Sequence, residues 1–141
     1  MFDMPILNNI NKVEFIEARF LKDITVVPGK GVFLNMWRNF LTLNTVGLTA
    51  ATSTSKVVKK NTIYNIKMTA LLKTQFLVGN RHLCYRLTTV TGEKYLLGIE
   101  RAPYPITTTQ ENYPSVVTDK SGTTLSVEYS NTYGLLPILD L

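Results

Sequence analysis

The residues best suited to chemistry in this chain are its single histidine and its single cysteine, which stand two positions apart. In a β-strand, His82 and Cys84 point to the same face, because successive side chains alternate between the two faces. An imidazole beside a thiol is a pair that enzymes use to generate a thiolate nucleophile. The structural alternative is that His82 contacts Glu100 across the strands while Cys84 fills space. No oxyanion-hole pattern accompanies the pair, so we favour the structural interpretation and predict no catalytic residue.

Other catalytic and metal-binding patterns do not occur in the sequence. A single cysteine and a single histidine exclude cysteine-rich zinc sites, histidine clusters and an intrachain disulfide. The sequence holds no Walker loop, dinucleotide fingerprint, GxSxG elbow or HExxH helix, and its carboxylates follow neither acid/base nor EF-hand spacing. We therefore expect a protein that is not an enzyme, needs no cofactor or metal, and has no small-molecule substrate.

His82 and Cys84 belong to the clearest unit of the sequence, a β-hairpin over residues 81–100. A three-residue loop at residues 90–92 places only Gly92 in the left-handed conformation, which is usual for such loops. The register set by this loop collects six large apolar side chains on one face, whereas a shift of one residue scatters them. The other face, with His82 and Cys84, is expected to face solvent. The apolar face holds Leu83, Tyr85, Leu87, Tyr95, Leu97 and Ile99.

Composition predicts an all-β protein of one domain. The chain has 141 residues, of which 19 are threonine, a residue that favours strands, and only five are alanine. The predicted fold class is a single-domain antiparallel β-sandwich or barrel with long loops, at most one short helix and extended terminal arms. Within residues 1–141 we expect an N-terminal arm at 1–11, a β core at 12–130 with loops at 47–61 and 101–115, and a C-terminal arm at 131–141. The first of these loops, which is rich in Thr, Ser and Lys, fits either a mobile loop or an exposed ribbon.

Segments of the core carry their own patterns. Residues 12–21 fit either a helical face or a strand with a bulge, and we favour the strand because Val, Phe and Ile dominate. Residues 62–73 alternate as a half-buried strand, and residues 116–118 and 123–130 form a second hairpin. Residues 35–46 fit a short helix that would be capped by Asn35 and would bury Met36, Trp37, Phe40 and Leu41.

Positive charge is concentrated in the middle of the chain. The net charge is +5, and the stretch between Asp23 and Glu93 holds nine cations and no carboxylate. Such a stretch indicates a positive surface for a polyanion or an acidic neighbour, and the alternative is a solvated basic face with no partner. The candidates for contact with a polyanion are Lys56, Lys59, Lys60, Lys67 and Lys73.

Both ends of the sequence are unusually apolar. Chain ends that fray in water are usually polar, so apolar ends must dock on their own domain or on a neighbour. Arms that cross to a neighbour tie many rings and shells together. The candidate assembly residues are Phe2, Met4, Ile6, Leu7, Leu135, Leu136, Ile138 and Leu139.

These features together resemble the small all-β structural proteins of tailed bacteriophage particles, such as head–tail connector, neck and tail components. The resemblance is one of character and lies in Thr-, Asn- and Tyr-rich strands, long loops, apolar arms and the lack of a secretory signal pattern. It implies a multi-copy ring or tube subunit that contacts copies of itself and other virion proteins, with non-specific DNA contact through its basic side. It also implies a place in the virion after synthesis in the host cytoplasm.

Two alternatives stay open beside this resemblance. The first is a soluble nucleic-acid-binding β-barrel that acts as a monomer or dimer, and the second is an enzyme that uses His82 and Cys84. The mass of the native particle separates an assembly subunit from a monomeric binder. No apolar run in the sequence is long enough to span a bilayer, so we expect no membrane partner.

Overall fold

A computed structural model describes residues 6–35, 39–76, 78–112 and 122–140 of the chain. Over these residues the protein is built from strands, with one four-residue 3₁₀ turn at Ala18–Leu21 and no α-helix. The all-β prediction is therefore confirmed. The strands are β1 (Ile6–Glu17), β2 (Thr25–Val27), β3 (Gly31–Phe33), β4 (Leu41–Leu43), β5 (Thr49–Val58), β6 (Asn61–Leu72), β7 (Leu83–Thr89), β8 (Lys94–Leu97), β9 (Ile106–Asn112), β10 (Gly122–Asn131) and β11 (Leu136–Pro137).

One large antiparallel sheet forms most of the domain. Its strand order is β11-β8-β7-β1-β5-β6-β10-β9, and β4 also pairs with β1. The sheet curls strongly, because the Tyr85 hydroxyl on β7 lies 2.6 Å from the Thr107 hydroxyl on β9 although four strands separate them in the order. The curled sheet encloses a first apolar core, whose fully buried side chains include Ile10, Val13, Met68, Tyr85, Leu87, Leu97 and Leu125.

A second, smaller layer covers the outside of one part of this sheet. The antiparallel pair β2–β3 lies against the outer faces of β1, β7 and β8, and a second apolar core fills the space between them. The sequence predicts that this face of the 81–100 hairpin meets solvent, and that prediction is wrong for Cys84 and Leu96, which are both fully buried. The members of the second core are Ile16, Ala18, Leu21, Val32, Leu34, Phe40, Cys84, Leu96, Ile99 and Leu136.

The register of the 81–100 hairpin is confirmed over residues 85–88 and 94–97, but Ile99, predicted to share the apolar face with Leu83, belongs to the second core. Tyr85 pairs with Leu97 and Leu87 pairs with Tyr95, as the alternating pattern requires. Gly92 has a φ of 91°, which is the left-handed conformation expected at the end of a three-residue loop. Turn chemistry and apolar alternation therefore specify one register here.

The strands predicted within residues 12–21 and 62–73 are confirmed for the most part, and the strand predicted at 123–130 is confirmed with a different hairpin partner. Residues 12–17 are strand, as favoured, and the 3₁₀ turn follows them; the even-numbered side chains of β6 are buried from Tyr64 onward. Strand β10 buries alternate residues as expected, but its hairpin partner is β9. Residues 116–118, the predicted partner, lie outside the described residues.

Both predicted loops contain strands. Residues 49–58 form β5, so the exposed ribbon and not the mobile loop is the correct alternative there, and residues 106–112 form β9, so the loop predicted at 101–115 is wrong over this part. In residues 49–58 the Thr and Ser side chains are compatible with a strand that has one face exposed to water. In the second predicted loop, prolines occupy positions 103 and 105, and the β-branched run Ile-Thr-Thr-Thr begins directly after them.

The predicted helix at 35–46 is wrong over its described part. Asn35 has a φ of 69°, and its side-chain amide donates to the Asp23 carbonyl and the Thr25 hydroxyl instead of capping a helix. Residues 41–43 are β4, in which Leu41 is 53% exposed, whereas Phe40 is buried as predicted. The strand pairing of β4 with β1 overrides the helical pattern of the isolated sequence. Met36 and Trp37 lie outside the described residues.

Candidate functional site

The geometry of His82 and Cys84 gives neither residue the surroundings of a catalytic pair. The Cys84 thiol is buried beneath the small layer, 3.6 Å from the Ile99 carbonyl oxygen, and burial raises its pKa to about 12. At neutral pH the thiol is therefore protonated and is a poor nucleophile. The exposed His82 ring stacks on Tyr104 with 4.1 Å between the ring centroids. Both side chains are explained by packing.

Native Cys84 should react slowly with a thiol-directed reagent. Because the sulfur is buried and its pKa is raised to about 12, we expect alkylation by iodoacetamide at pH 8 to be at least about a hundredfold slower than in the denatured chain. Mass spectrometry of quenched samples measures this ratio. Equal rates in the two states would show an accessible thiol and would contradict the buried position.

A buried ion pair joins β1 to β7 beneath the second core. The Arg86 guanidinium donates to both carboxylate oxygens of Glu14, over 2.9 and 2.7 Å, and the Phe40 ring lies 4.2 Å from the guanidinium carbon. Glu14 is only 4% exposed. With both oxygens paired, this carboxylate fastens two strands together and has a structural role. The pair is not evident from the sequence, because its members are 72 positions apart.

The five candidate lysines do not form one patch. Lys56, Lys59 and Lys60 lie together at the far end of the β5–β6 hairpin, all exposed. The twelve-residue strand β6, about 40 Å long, separates this end from Lys73. Lys67 lies midway along β6, and its backbone pairs directly with that of Glu128 on β10, so a carboxylate lies beside it. The structure therefore reduces the candidate basic surface to Lys56, Lys59 and Lys60. We call these three lysines, together with Val57 and Val58, the hairpin tip.

The hairpin tip lies beyond the last described pairs that β5 and β6 make with their neighbouring strands. Among the described residues, β10 pairs with β6 only as far as Tyr64, and β1 pairs with β5 only as far as Thr52. Residues 56–61 continue as a two-stranded ribbon for about 10 Å and are all exposed. Val57, the most exposed apolar residue that is described, is 72% exposed.

The predicted C-terminal arm docks on its own domain. Leu135 and Leu136 are buried in the first and second cores, so their side chains are not available to a neighbouring subunit. The chain then bridges the two layers, because the Ile138 amide donates to the Lys94 carbonyl of β8 and the Leu139 amide donates to the Val32 carbonyl of β3. The Asp140 carboxylate ends this segment by accepting from the backbone amides of Leu34 and Asn35, over 2.6 and 2.9 Å.

The predicted N-terminal arm is described only in part. Phe2 and Met4 lie outside the described residues, so their role as assembly residues stays a prediction. The backbone of Ile6 and Leu7 belongs to β1 and pairs with Thr52 and Ala51 of β5. The segment from Ile6 onward is therefore strand and not arm.

An apolar groove lies at the end of the domain remote from the hairpin tip. It encloses about 490 Å³ where β1 runs into the 3₁₀ turn beside β4. Phe20 and Leu41, which line it, are 49% and 53% exposed, and Arg81 lies over the Phe15 ring with 5.9 Å between the guanidinium carbon and the ring centroid. The groove is not evident from the sequence, because the local pattern places Leu41 on the buried face of a helix.

Comparisons with protein-family models, with curated proteins and with solved structures found no match to this chain. Over the described residues, no three His, Cys, Asp or Glu side chains come close enough together to hold a metal ion. The same residues include no helix of the length and hydropathy needed to cross a membrane. The candidate sites are therefore two surfaces at opposite ends of the domain, the apolar groove and the hairpin tip.

Proposed function

We propose that this chain is a non-enzymatic structural subunit of a phage particle, of the head–tail connector or tail type, and that it works in many copies through protein–protein contacts. The sequence resemblance supplies the class of particle. The observation that carries the proposal of assembly is the apolar groove with its exposed Phe20 and Leu41. Apolar side chains clustered around a concave surface are typical of protein–protein contacts.

Another copy of the chain is the occupant that this proposal assigns to the groove. The groove and the hairpin tip lie at opposite ends of the long strands, so a contact made through one end leaves the other end free. We assign to the groove a surface of the next copy that is neither the groove nor the hairpin tip, so the contact is heterologous, and repetition of a heterologous contact produces a ring or an open tube. This is the arrangement expected of a connector or tail component.

Exchange of the two exposed groove residues tests the assembly proposal. We expect the double variant Phe20→Ser with Leu41→Ser to sediment as a 15.9 kDa monomer under conditions in which the wild-type chain forms large oligomers. Neither side chain is buried, so the circular dichroism spectrum and the thermal midpoint should change little.

A matched control isolates the groove from general surface hydrophobicity. Leu48 and Val90 are 59% and 54% exposed but do not line the groove, so Leu48→Ser with Val90→Ser should leave the oligomer unchanged. Retention of the wild-type sedimentation coefficient by the groove variant, or equal losses in both variants, would contradict assembly through this surface.

The runner-up function is a nucleic-acid-binding β-barrel that acts alone. The observation that favours it is the hairpin tip with its three exposed lysines. The two functions differ in the native mass of the chain, since a monomeric binder stays near 15.9 kDa at all concentrations. They also share a surface, because a connector or tail subunit that lines a channel would meet DNA with the same lysines.

A further inference from the structure

The turn of the β5–β6 hairpin has unfavourable backbone chemistry. Lys59 and Lys60 form its two-residue turn with φ values of 50° and 71°, so both residues adopt the left-handed conformation of a type I′ turn. Asn-Gly is the favoured pair at these positions, and residues with longer side chains cost free energy there. Backbone strain held at an exposed position indicates that the side chains placed there serve a purpose other than folding.

Within the part of the chain that the structure describes, the hairpin itself supplies no carboxylate to balance the positive charge of the turn. Lys56 is the third cation of the tip, and the sequence from residue 24 to residue 92 contains no Asp or Glu, so neither strand of the hairpin supplies a carboxylate. On the neighbouring strand, Glu128 lies opposite Lys67, four residues along β6 from Ile63, the backbone partner of Lys56. Val57 and Val58 place apolar surface between the lysines, and both are exposed. The tip is therefore a cationic, partly apolar ribbon aimed away from the domain.

We infer that the hairpin tip is a contact surface for duplex DNA, made by Lys56, Lys59 and Lys60 against the phosphate backbone. A two-stranded β-ribbon is narrow enough to enter the major groove, and lysines at its end and side then reach phosphates. Because the inference assigns all three lysines to phosphates, and phosphate contacts carry no sequence information, we expect the contact to be independent of base sequence. This inference deepens the proposed function, and it rests on that function for the presence of DNA beside the chain.

Salt dependence of binding to a labelled duplex tests the inference. We expect fluorescence anisotropy with a 24-base-pair duplex of mixed sequence to show wild-type affinity that falls steeply between about 25 and 200 mM NaCl. Exchange of all three tip lysines for Gln should reduce the slope of log K against log salt by about 2.7, because each phosphate that a lysine no longer neutralises lowers the slope by about 0.9.

A matched control separates the tip from net charge. Lys22, Lys30 and Lys73 are exposed and are not part of the hairpin tip, so their triple exchange for Gln removes the same charge and should reduce the slope by less than about 1. Equal reductions in the two triple variants would overturn the inference. Absence of wild-type binding at 25 mM NaCl would overturn it as well, and so would a preference for polyglutamate over the duplex, which would point to an acidic protein neighbour.

A second variant uses the turn itself. Lys59→Asn with Lys60→Gly relaxes the type I′ turn, so the thermal midpoint should rise while the slope of log K against log salt falls by about 1.8. Unchanged DNA binding by this more stable variant would overturn the inference. Sedimentation of all tip variants is recorded in parallel. Weakened DNA binding by variants that still form oligomers supports the inference and leaves the assembly proposal unaffected. DNA binding by a wild-type chain that stays monomeric contradicts the assembly proposal but not the inference.

Discussion

Removal of residues 135–141 should unfold the domain instead of merely preventing assembly. Leu135 and Leu136 are buried in the two cores, and truncation of a buried leucine side chain typically costs about 2–5 kcal/mol. The deletion also removes the backbone hydrogen bonds to β8 and β3 and the Asp140 contacts with Leu34 and Asn35. The combined effect approaches the whole stability of a small domain, about 5–15 kcal/mol. Circular dichroism and urea denaturation of the truncated chain measure the outcome.

A point variant at the end of the same segment provides the control. Leu139 is 43% exposed, so Leu139→Ala should lower the free energy of unfolding by less than about 1 kcal/mol. A truncated chain that kept wild-type stability but no longer assembled would show that the segment serves only as an arm between subunits. That result would restore the interpretation that the apolar sequence alone suggests.

Substitution of Glu14 by Ala should destabilise the protein by about 3–5 kcal/mol. The change leaves the Arg86 guanidinium, whose side chain is 16% exposed, without the carboxylate that accepts both of its hydrogen bonds. An unpaired charge in such a position costs far more than the ion pair contributes. Urea denaturation followed by tryptophan fluorescence or circular dichroism gives the free energy of unfolding directly.

Two further variants show whether burial causes the effect. Glu17 pairs with Arg19 over 3.3 Å at the surface, so Glu17→Ala should cost no more than about 1 kcal/mol. The double variant Glu14→Leu with Arg86→Met should recover most of the stability, because apolar side chains replace a buried ion pair at little cost. Equal destabilisation by Glu14→Ala and Glu17→Ala would contradict the buried geometry.

The sequence is sufficient to predict the parts of the fold in which a local turn and an alternating pattern agree. Gly92 and the apolar set from Leu83 to Leu97 select one register for the β7–β8 hairpin, and the alternation of β6 fixes its buried face. Residues 12–17 of β1 are predicted correctly from their β-branched and aromatic residues despite a competing helical pattern, whereas the sequence predicts an arm at residues 6–11, which are strand, and a strand at residues 18–21, which are the 3₁₀ turn.

The second layer of the fold escapes prediction because it depends on contacts between distant segments. Cys84 and Leu96 lie on the face of the hairpin opposite the large core, and nothing within the hairpin shows that β2–β3 covers them. One local signal does exist: the run from Tyr95 to Leu97 is apolar at every position, which is typical of a strand buried on both faces. The pair Glu14–Arg86 follows from the same pairing of distant strands.

For the candidate sites, composition predicts the kind of surface, but only the fold shows which residues form it. The carboxylate-free stretch correctly indicates an excess of positive charge, but only the strand pairing separates Lys56, Lys59 and Lys60 from Lys67 and Lys73. Apolar composition likewise indicates that the C-terminal residues must dock, and their position on β3 and β8 shows where. The exposure of Phe20 and Leu41 could not be predicted, because it depends on which neighbours the fold supplies.

Assembly into many copies is the central claim, and the mass of the purified chain tests it most directly. Multi-angle light scattering at increasing protein concentration should give a mass that rises from 15.9 kDa to a large multiple of it, as heterologous contacts between identical subunits require. A mass of 15.9 kDa at every concentration, from micromolar to millimolar, would contradict the claim and favour a binder that acts alone.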